Sequence, residues 1–192
     1  MVEPATTDTD EKEHVFGLIR ARGEAAVEPV RAFHRRSDQA SSWAMRLLHD
    51  ILPADRYVTA VVEHLRELSE AYTRDPEKKL VLLHEAESLD DPRIAPTVLP
   101  FLEDMADDVK IGGLRALGPK AFPDAREPML KLLTAPETAR RVQTAAIEAI
   151  SQSGFGVQGY REKVESLLPE PFFVDKAGIL KRRGAPAAGQ PE

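Results

Sequence analysis

Apolar positions recur along this chain at helical spacing, and the helices that they define recur about every 31 residues. Apolar residues at i, i+3, i+4 and i+7 predict amphipathic helices, each with one buried face. Two sets of positions carry the 31-residue spacing: Leu80, Ile111 and Val142, and, one helical turn later, Leu83, Leu114 and Ala145. A period of this length, made of two short helices, is typical of helical repeat proteins.

The second helix of each hairpin repeats with nearly the same period. Leu99 and Leu102 return 31 residues later as Leu130 and Leu133, and 34 residues after that as Val164 and Leu167. The longer last step is explained by the segment Gly154–Gly159 (GFGVQG), which lengthens the loop between the last two helices. We therefore predict five helical hairpins, near residues 11–36, 37–72, 77–108, 109–139 and 140–168.

Prolines and the chain ends refine this prediction. Pro100 lies beyond the first turn of its helix, so a bend is expected there. Residues 171–183 (PFFVDKAGILKRR) are predicted to form a short helix that caps the last repeat, and no segment is predicted to be a β-strand. We expect a disordered acidic N-terminus over residues 1–10, a repeat domain over 11–182 and a disordered C-terminal tail over 183–192.

Residues 77–168 carry a motif that points to a known family. A helix of the form V-x-x-x-A-x-x-A-L-G has its counterpart in VKIGGLRALG at 109–118, and an Asp-Pro-Arg turn followed by an apolar helix occurs as DDPRIAPTVLPFL at 90–102. These segments resemble bacterial HEAT repeats. The resemblance implies an all-α fold, a right-handed α-solenoid of about five HEAT-like hairpins. It leaves function open, since one fold hosts many activities.

Composition and charge narrow the function classes. The chain has 192 residues, of which 42 % are hydrophobic and 30 % charged, and its net charge is −6. The negative charge argues against general affinity for nucleic acid or anionic membranes. The absence of cysteine excludes disulfides, thiolate catalysis and cysteine-based zinc sites. The sequence contains neither a secretory apolar segment nor 18 continuous apolar residues, so we expect a cytoplasmic location.

One pair of residues raises the possibility of a metal. Deoxyhypusine hydroxylase, which is similar in being a HEAT-repeat protein, holds two irons with His-Glu pairs on several first helices. This chain has His84-Glu85, and His49-Asp50 as a partial counterpart 35 residues earlier, but no third or fourth pair. The five histidines, at 14, 34, 49, 64 and 84, include no i, i+4 pair. We therefore expect no metal and no other cofactor, and we interpret the histidines as unrelated surface residues.

Two further patterns suggest nucleic-acid or nucleotide binding, and both are better explained structurally. Some HEAT-like solenoids resemble a DNA glycosylase type with a basic groove, and this chain has a basic cluster, although acidic residues such as Glu103 interrupt any stripe. The cluster comprises Arg20, Arg22, Arg31, His34, Arg35 and Arg36. The glycines at 154, 156 and 159 match G-x-G-x-x-G, but the preceding segment is predicted to be a helix, whereas the dinucleotide fingerprint follows a strand.

Our prediction from sequence is a non-enzymatic scaffold or adaptor. A protein or peptide partner would bind the concave face formed by the second helices, whose charges are of both signs. The alternative is a HEAT-repeat enzyme, either a metal hydroxylase or a DNA-glycosylase-like repair protein. The predicted partner-binding residues are Arg31, Arg35, Glu63, Arg66, Glu67, Glu103, Arg126, Lys131 and Lys163.

Overall fold

The computed structural model describes residues 9–37, 40–70 and 76–184, and these residues are mostly helical, as predicted. Ten α-helices and two short strands lie within them. In chain order these are α1 (Thr9–Arg20), α2 (Val27–Arg36), α3 (Ser41–Ile51), α4 (Ala54–Glu70), α5 (Glu77–Ser88), α6 (Ile94–Val98), α7 (Asp107–Leu117), α8 (Arg126–Thr134), α9 (Arg140–Ser153), α10 (Arg161–Leu167), β1 (Phe172–Val174) and β2 (Leu180–Arg182). Short 3-10 segments extend or join several of the helices.

The chain forms two compact units, Met1–Asp91 and Pro92–Glu192. In the first unit, α3 packs against α1, α2 and α5, and α4 packs against α5. The helices that begin successive hairpins, α1, α3 and α5, therefore contact one another in order. The fully buried core residues of this unit include Val30, Met45, Leu48, Val61, Leu65, Leu82 and Leu83.

The second unit follows the same arrangement. Helix α7 packs against α9, and α8 packs against both α9 and α10. Of the two sets with 31-residue spacing, Leu83, Leu114 and Ala145 are all buried, as the register predicts. In the other set Val142 is buried, but Leu80 and Ile111 are only half-buried. The α-helical geometry of α6 ends at Val98, and a 3-10 segment, Leu99–Glu103, continues the chain. Pro100 explains this change, because it lacks an N–H and its ring clashes with the carbonyl four residues earlier.

The segment after α10 is a β-hairpin, so the predicted capping helix at 171–183 is wrong, as is the prediction that the chain has no strand. Strands β1 and β2 pair antiparallel, with Phe173 opposite Lys181. Phe172, Phe173 and Val174 are residue types that favour strands. Gly178 adopts a positive φ of 81° in the loop, and the side chain of Asp175 accepts the N–H of Ile179 at 2.9 Å. This turn chemistry outweighs the apolar spacing on which the helix prediction rested.

The predicted boundaries differ from the observed ones at the chain ends and between the third and fourth hairpins, where α7 begins at Asp107. Helix α1 begins at Thr9, inside the segment predicted to be disordered. Asp10 and Glu11 in its first turn favour this early start, because their negative charges face the positive end of the helix dipole. Residues 1–8 and 185–192, most of the predicted disordered ends, lie outside the described residues, as does Tyr72 of the predicted fourth helix.

Candidate functional site

Four of the predicted partner-binding residues contact one another. In the first unit, the Arg31 guanidinium on α2 forms an ion pair with Glu63 on α4. Four residues further along the same helix, Arg35 Nε lies 3.3 Å from an oxygen of Glu67. Both pairs join residues 32 positions apart, which is one repeat. These four charges, which we call the ion-pair ladder, are therefore directed at each other.

Further ion pairs join residues just over 30 positions apart, several in the first unit and those of Arg141 in the second. In the first unit, Arg46 donates to Glu13 at 2.7 Å and Arg56 donates to Glu24 at 2.6 Å. In the second unit, Arg141 Nε donates to Asp107 at 3.2 Å. Each pair spans 32 to 34 residues, which is close to the 31-residue period of the apolar pattern.

The other predicted residues divide into two groups. The side chain of Arg126 is already engaged in hydrogen bonds within the protein. Its Nε donates to the carbonyl of Gly156 at 2.8 Å, and its Nη2 donates to that of Gln158 at 2.7 Å. It thereby fastens the glycine-rich loop. The remaining four are exposed, and within the part of the chain that the structure describes none of them forms an ion pair: Arg66, Glu103, Lys131 and Lys163.

The glycine-rich loop joins two helices and follows α9, not a strand. Gly154, with φ 66°, ends α9 in the left-handed conformation that glycine adopts without strain. The N–H of Val157 donates to the carbonyl of Gly178 at 2.8 Å, so the loop is also held by the β-hairpin. The loop thus lacks the strand–turn–helix setting of a dinucleotide site.

The His84-Glu85 and His49-Asp50 pairs meet at a tyrosine. Tyr57 is buried, its hydroxyl donates to Glu85 at 2.6 Å, and its ring lies edge-on to that of His49 at 4.9 Å. Burial, reinforced by the Glu85 hydrogen bond, raises the pKa of Tyr57. His84 itself is exposed. Among the described residues, no three His, Asp or Glu side chains are grouped so that they could hold a metal ion.

Most arginines of the basic cluster form ion pairs with carboxylates or hydrogen bonds with the backbone. Arg20 lies 3.3 Å from Asp50, Arg31 and Arg35 pair with glutamates as above, and Arg36 Nε donates to the carbonyl of Ala32. These contacts do not form the continuous unpaired basic stripe that phosphate binding requires.

The interpretation of all five histidines as surface residues is wrong for two of them. His34 on α2 and His64 on α4 are 1 % and 2 % exposed, and their ring centroids are 4.6 Å apart. No described residue forms a hydrogen bond with any of their four ring nitrogens. The apolar stripes contain the signal for this burial, since His34 follows Val27 and Val30 at i+7 and i+4, and His64 follows Val61 at i+3.

Burial disfavours the charged form of both histidines. It is the largest cause that lowers the pKa of His34 to about 4, with the positive charges of Lys78 and Arg35 adding to it. Burial likewise lowers the pKa of His64 to about 3, with contributions from His34, Arg35, Arg31 and Lys78. Both imidazoles are therefore neutral at pH 7, and the pair lies in a positively charged setting.

No family model, no curated protein and no solved structure matches this chain, so the comparisons assign neither a family nor a function. Among the described helices, none combines the length and the apolar character needed to cross a membrane.

The ion-pair ladder can be tested by charge exchange. Replacing Arg31 and Arg35 with Glu puts like charges opposite Glu63 and Glu67, and we expect the free energy of unfolding to fall by about 1–2 kcal/mol. Adding Glu63→Arg and Glu67→Arg restores both pairs in reverse and should recover most of that loss. Urea unfolding of the wild type, of the arginine double variant, of the glutamate double variant alone and of the quadruple variant measures the coupling free energy between the two helices. Purely additive effects would contradict the ladder.

Proposed function

We propose that this chain is a HEAT-like repeat scaffold, a right-handed α-solenoid without enzymatic activity, that binds a protein or peptide partner on the face of its second helices. The packing within each unit supports the repeat architecture. In the first unit, the first helices of successive hairpins contact one another in order, and in the second unit α7 and α9 do so. Charged residues one repeat apart meet across the same junctions.

The binding proposal rests on charged residues of the second helices that are exposed and form no ion pair within the described segments. Several charged residues pair with residues 32 to 34 positions away, but others are exposed and have no ion-pair partner in the described segments. These are Arg66 on α4 of the first unit and, in the second unit, Glu103 in the 3-10 segment after α6, Lys131 on α8 and Lys163 on α10. Unpaired charges of both signs suit a partner protein with complementary patches, and such complementarity sets association rate and specificity.

The test compares a triple charge reversal on the second helices with a double charge reversal on the first helices. The binding variant carries Arg66→Glu, Lys131→Glu and Lys163→Glu. The control variant carries Arg115→Glu and Glu148→Lys, at exposed positions on the first helices α7 and α9. Tagged wild-type and variant proteins are used to capture partners from native cells, and each captured protein is then titrated in purified form.

We expect the binding variant to lose at least tenfold in affinity, mainly through slower association, while the control variant binds as the wild type does. Thermal melting should be nearly the same for all three proteins, because the exchanged side chains are exposed. Equal affinity for all three would reject the second-helix face. A catalytic turnover that depends on bound metal would reject the scaffold proposal as a whole.

A further inference from the structure

The first helix carries an apolar strip that the described residues of its unit leave partly exposed. Leu18 on α1 is 58 % exposed, one of two large apolar side chains so exposed among the described residues. Beside it, Val15 and Ile19 of α1 face Ala25 and Pro29 across a groove of about 550 Å³. The next hairpin covers the other side of α1, where Phe16 packs against Trp43 at 5.7 Å.

The charged residues on and just after α1 fall into two groups, those that face the next hairpin and those beside the apolar strip. Glu13 and Arg20 pair with Arg46 and Asp50 of the next hairpin. Glu11 and Arg22, by contrast, are exposed and form no ion pair with any described residue. Glu11 stands at one end of the strip, because residues 11, 15 and 18 follow the 4-3 spacing that aligns side chains along one helix face. Arg22 stands at the other end, in the turn just beyond α1, where its backbone keeps a right-handed helical conformation and it lines the groove.

The strip is complementary to a second copy of itself when the two copies are related by a two-fold axis. In an antiparallel arrangement of two α1 helices centred between Val15 and Leu18, Val15 of one copy meets Leu18 of the other. In the same register Glu11 of one copy meets Arg22 of the other, and this happens twice by symmetry. A parallel arrangement would instead place Glu11 against Glu11 and Arg22 against Arg22. Such self-complementarity is what a two-fold symmetric interface requires.

We propose that two copies of this protein associate through antiparallel α1 helices, with Leu18 of each copy seated against the groove of the other. This interface uses the outer side of the first hairpin and is separate from the second-helix face proposed above. A contact between two short helices and their groove rims falls at the small end of specific interfaces, which bury roughly 800 Å² per partner. The dimer is therefore expected to be reversible and to depend on concentration.

Sedimentation equilibrium of the full chain between about 1 µM and 1 mM tests this proposal. We expect the mass to rise with concentration from 21.2 kDa towards twice that value. Leu18→Glu should abolish the rise. Because Leu18 is exposed, thermal melting at low concentration should stay unchanged, which separates lost association from lost folding.

Charge reversal then distinguishes this arrangement from any other. Glu11→Arg and Arg22→Glu should each weaken the dimer by about tenfold, since each places like charges opposite one another twice. The double variant Glu11→Arg/Arg22→Glu restores both pairs and should dimerise as the wild type does. A wild-type chain that stays monomeric throughout, or single reversals without effect, would overturn the proposal. So would a double variant that is no better than the single ones.

Discussion

Lowering the pH from about 7.5 to about 5 is expected to reduce the free energy of unfolding by about 4 kcal/mol, and the cause is the buried pair His34 and His64. Domains of this kind are stable by only about 5–15 kcal/mol, so the change removes a large share of the total. Neither histidine is exposed by more than 2 %.

The direction of the change follows from proton uptake in the two states. In the unfolded chain both imidazoles titrate near their ordinary pKa of 6.5, whereas in the folded protein burial holds the pKa values at about 4 and about 3. Between these values the unfolded state binds more protons, so acid favours unfolding. The stabilisation is complete above pH 6.5 and is lost progressively as the pH falls towards 4. At pH 5 each histidine accounts for about 2 kcal/mol of the loss.

The histidine pair also lies among positive charges that oppose its protonation. Arg31 and Arg35 on α2 and Lys78 on α5 all lower the pKa of His64. The ring nitrogens have no hydrogen-bond partner in the described part of the chain that would stabilise a charged form. Replacing both histidines with leucine removes four unpartnered buried nitrogens at similar volume. We expect this variant to be at least as stable as the wild type at pH 7.5.

Urea unfolding in steps of half a pH unit from pH 7.5 to pH 5 measures the loss of unfolding free energy. Most carboxylates stay ionised over this range. The wild type should lose stability steadily, and His34→Leu/His64→Leu should lose much less. His84→Gln, at an exposed position, serves as the control and should follow the wild type. A wild-type curve that is flat over this range would refute the expectation, and so would an unchanged slope in the double variant.

Leu114→Asp is expected to destabilise the protein by about 5 kcal/mol at pH 7, the largest effect we expect of one substitution. Leu114 is 0 % exposed on α7, the helix that packs against α9 and against the 3-10 segment Leu99–Glu103. The change removes a buried leucine side chain and places a carboxylate where water does not reach. Burial raises the pKa of an unpaired carboxyl group, so part of the loss should be relieved in acid.

Two further substitutions calibrate this result. Leu114→Ala creates a cavity without a charge and should cost about 3 kcal/mol. Met105→Asp, in the same unit, changes a side chain that is 88 % exposed and should cost less than about 0.5 kcal/mol. Chemical denaturation and far-ultraviolet circular dichroism compare all three with the wild type at equal pH. If Leu114→Asp costs as little stability as Met105→Asp, the positions with 31-residue spacing are not the ones that pack in the core.

The sequence was a reliable guide to the helices because their pattern is local. Helices α2 and α9 end where the apolar stripe ends, at Arg36 and just before Gly154. The change of helix type before Pro100 also follows from one residue's covalent structure. The β-hairpin was missed because Phe172–Val174 and Ile179-Leu180 are short apolar runs that fit a helix or a strand, and the turn at Gly178 decided between them.

What the sequence by itself determined, then, is the helical content and the period of the apolar pattern, since both follow from spacing along one chain segment. The tertiary structure alone decided which charges remain available. Arg31 and Arg66 look alike in sequence, yet Arg31 is paired with Glu63 of the next repeat and Arg66 is exposed. It likewise decided that His34 and His64 are buried against each other. Both outcomes depend on contacts between residues about 30 positions apart, and the free energies of ion pairing and desolvation depend on those contacts rather than on local order.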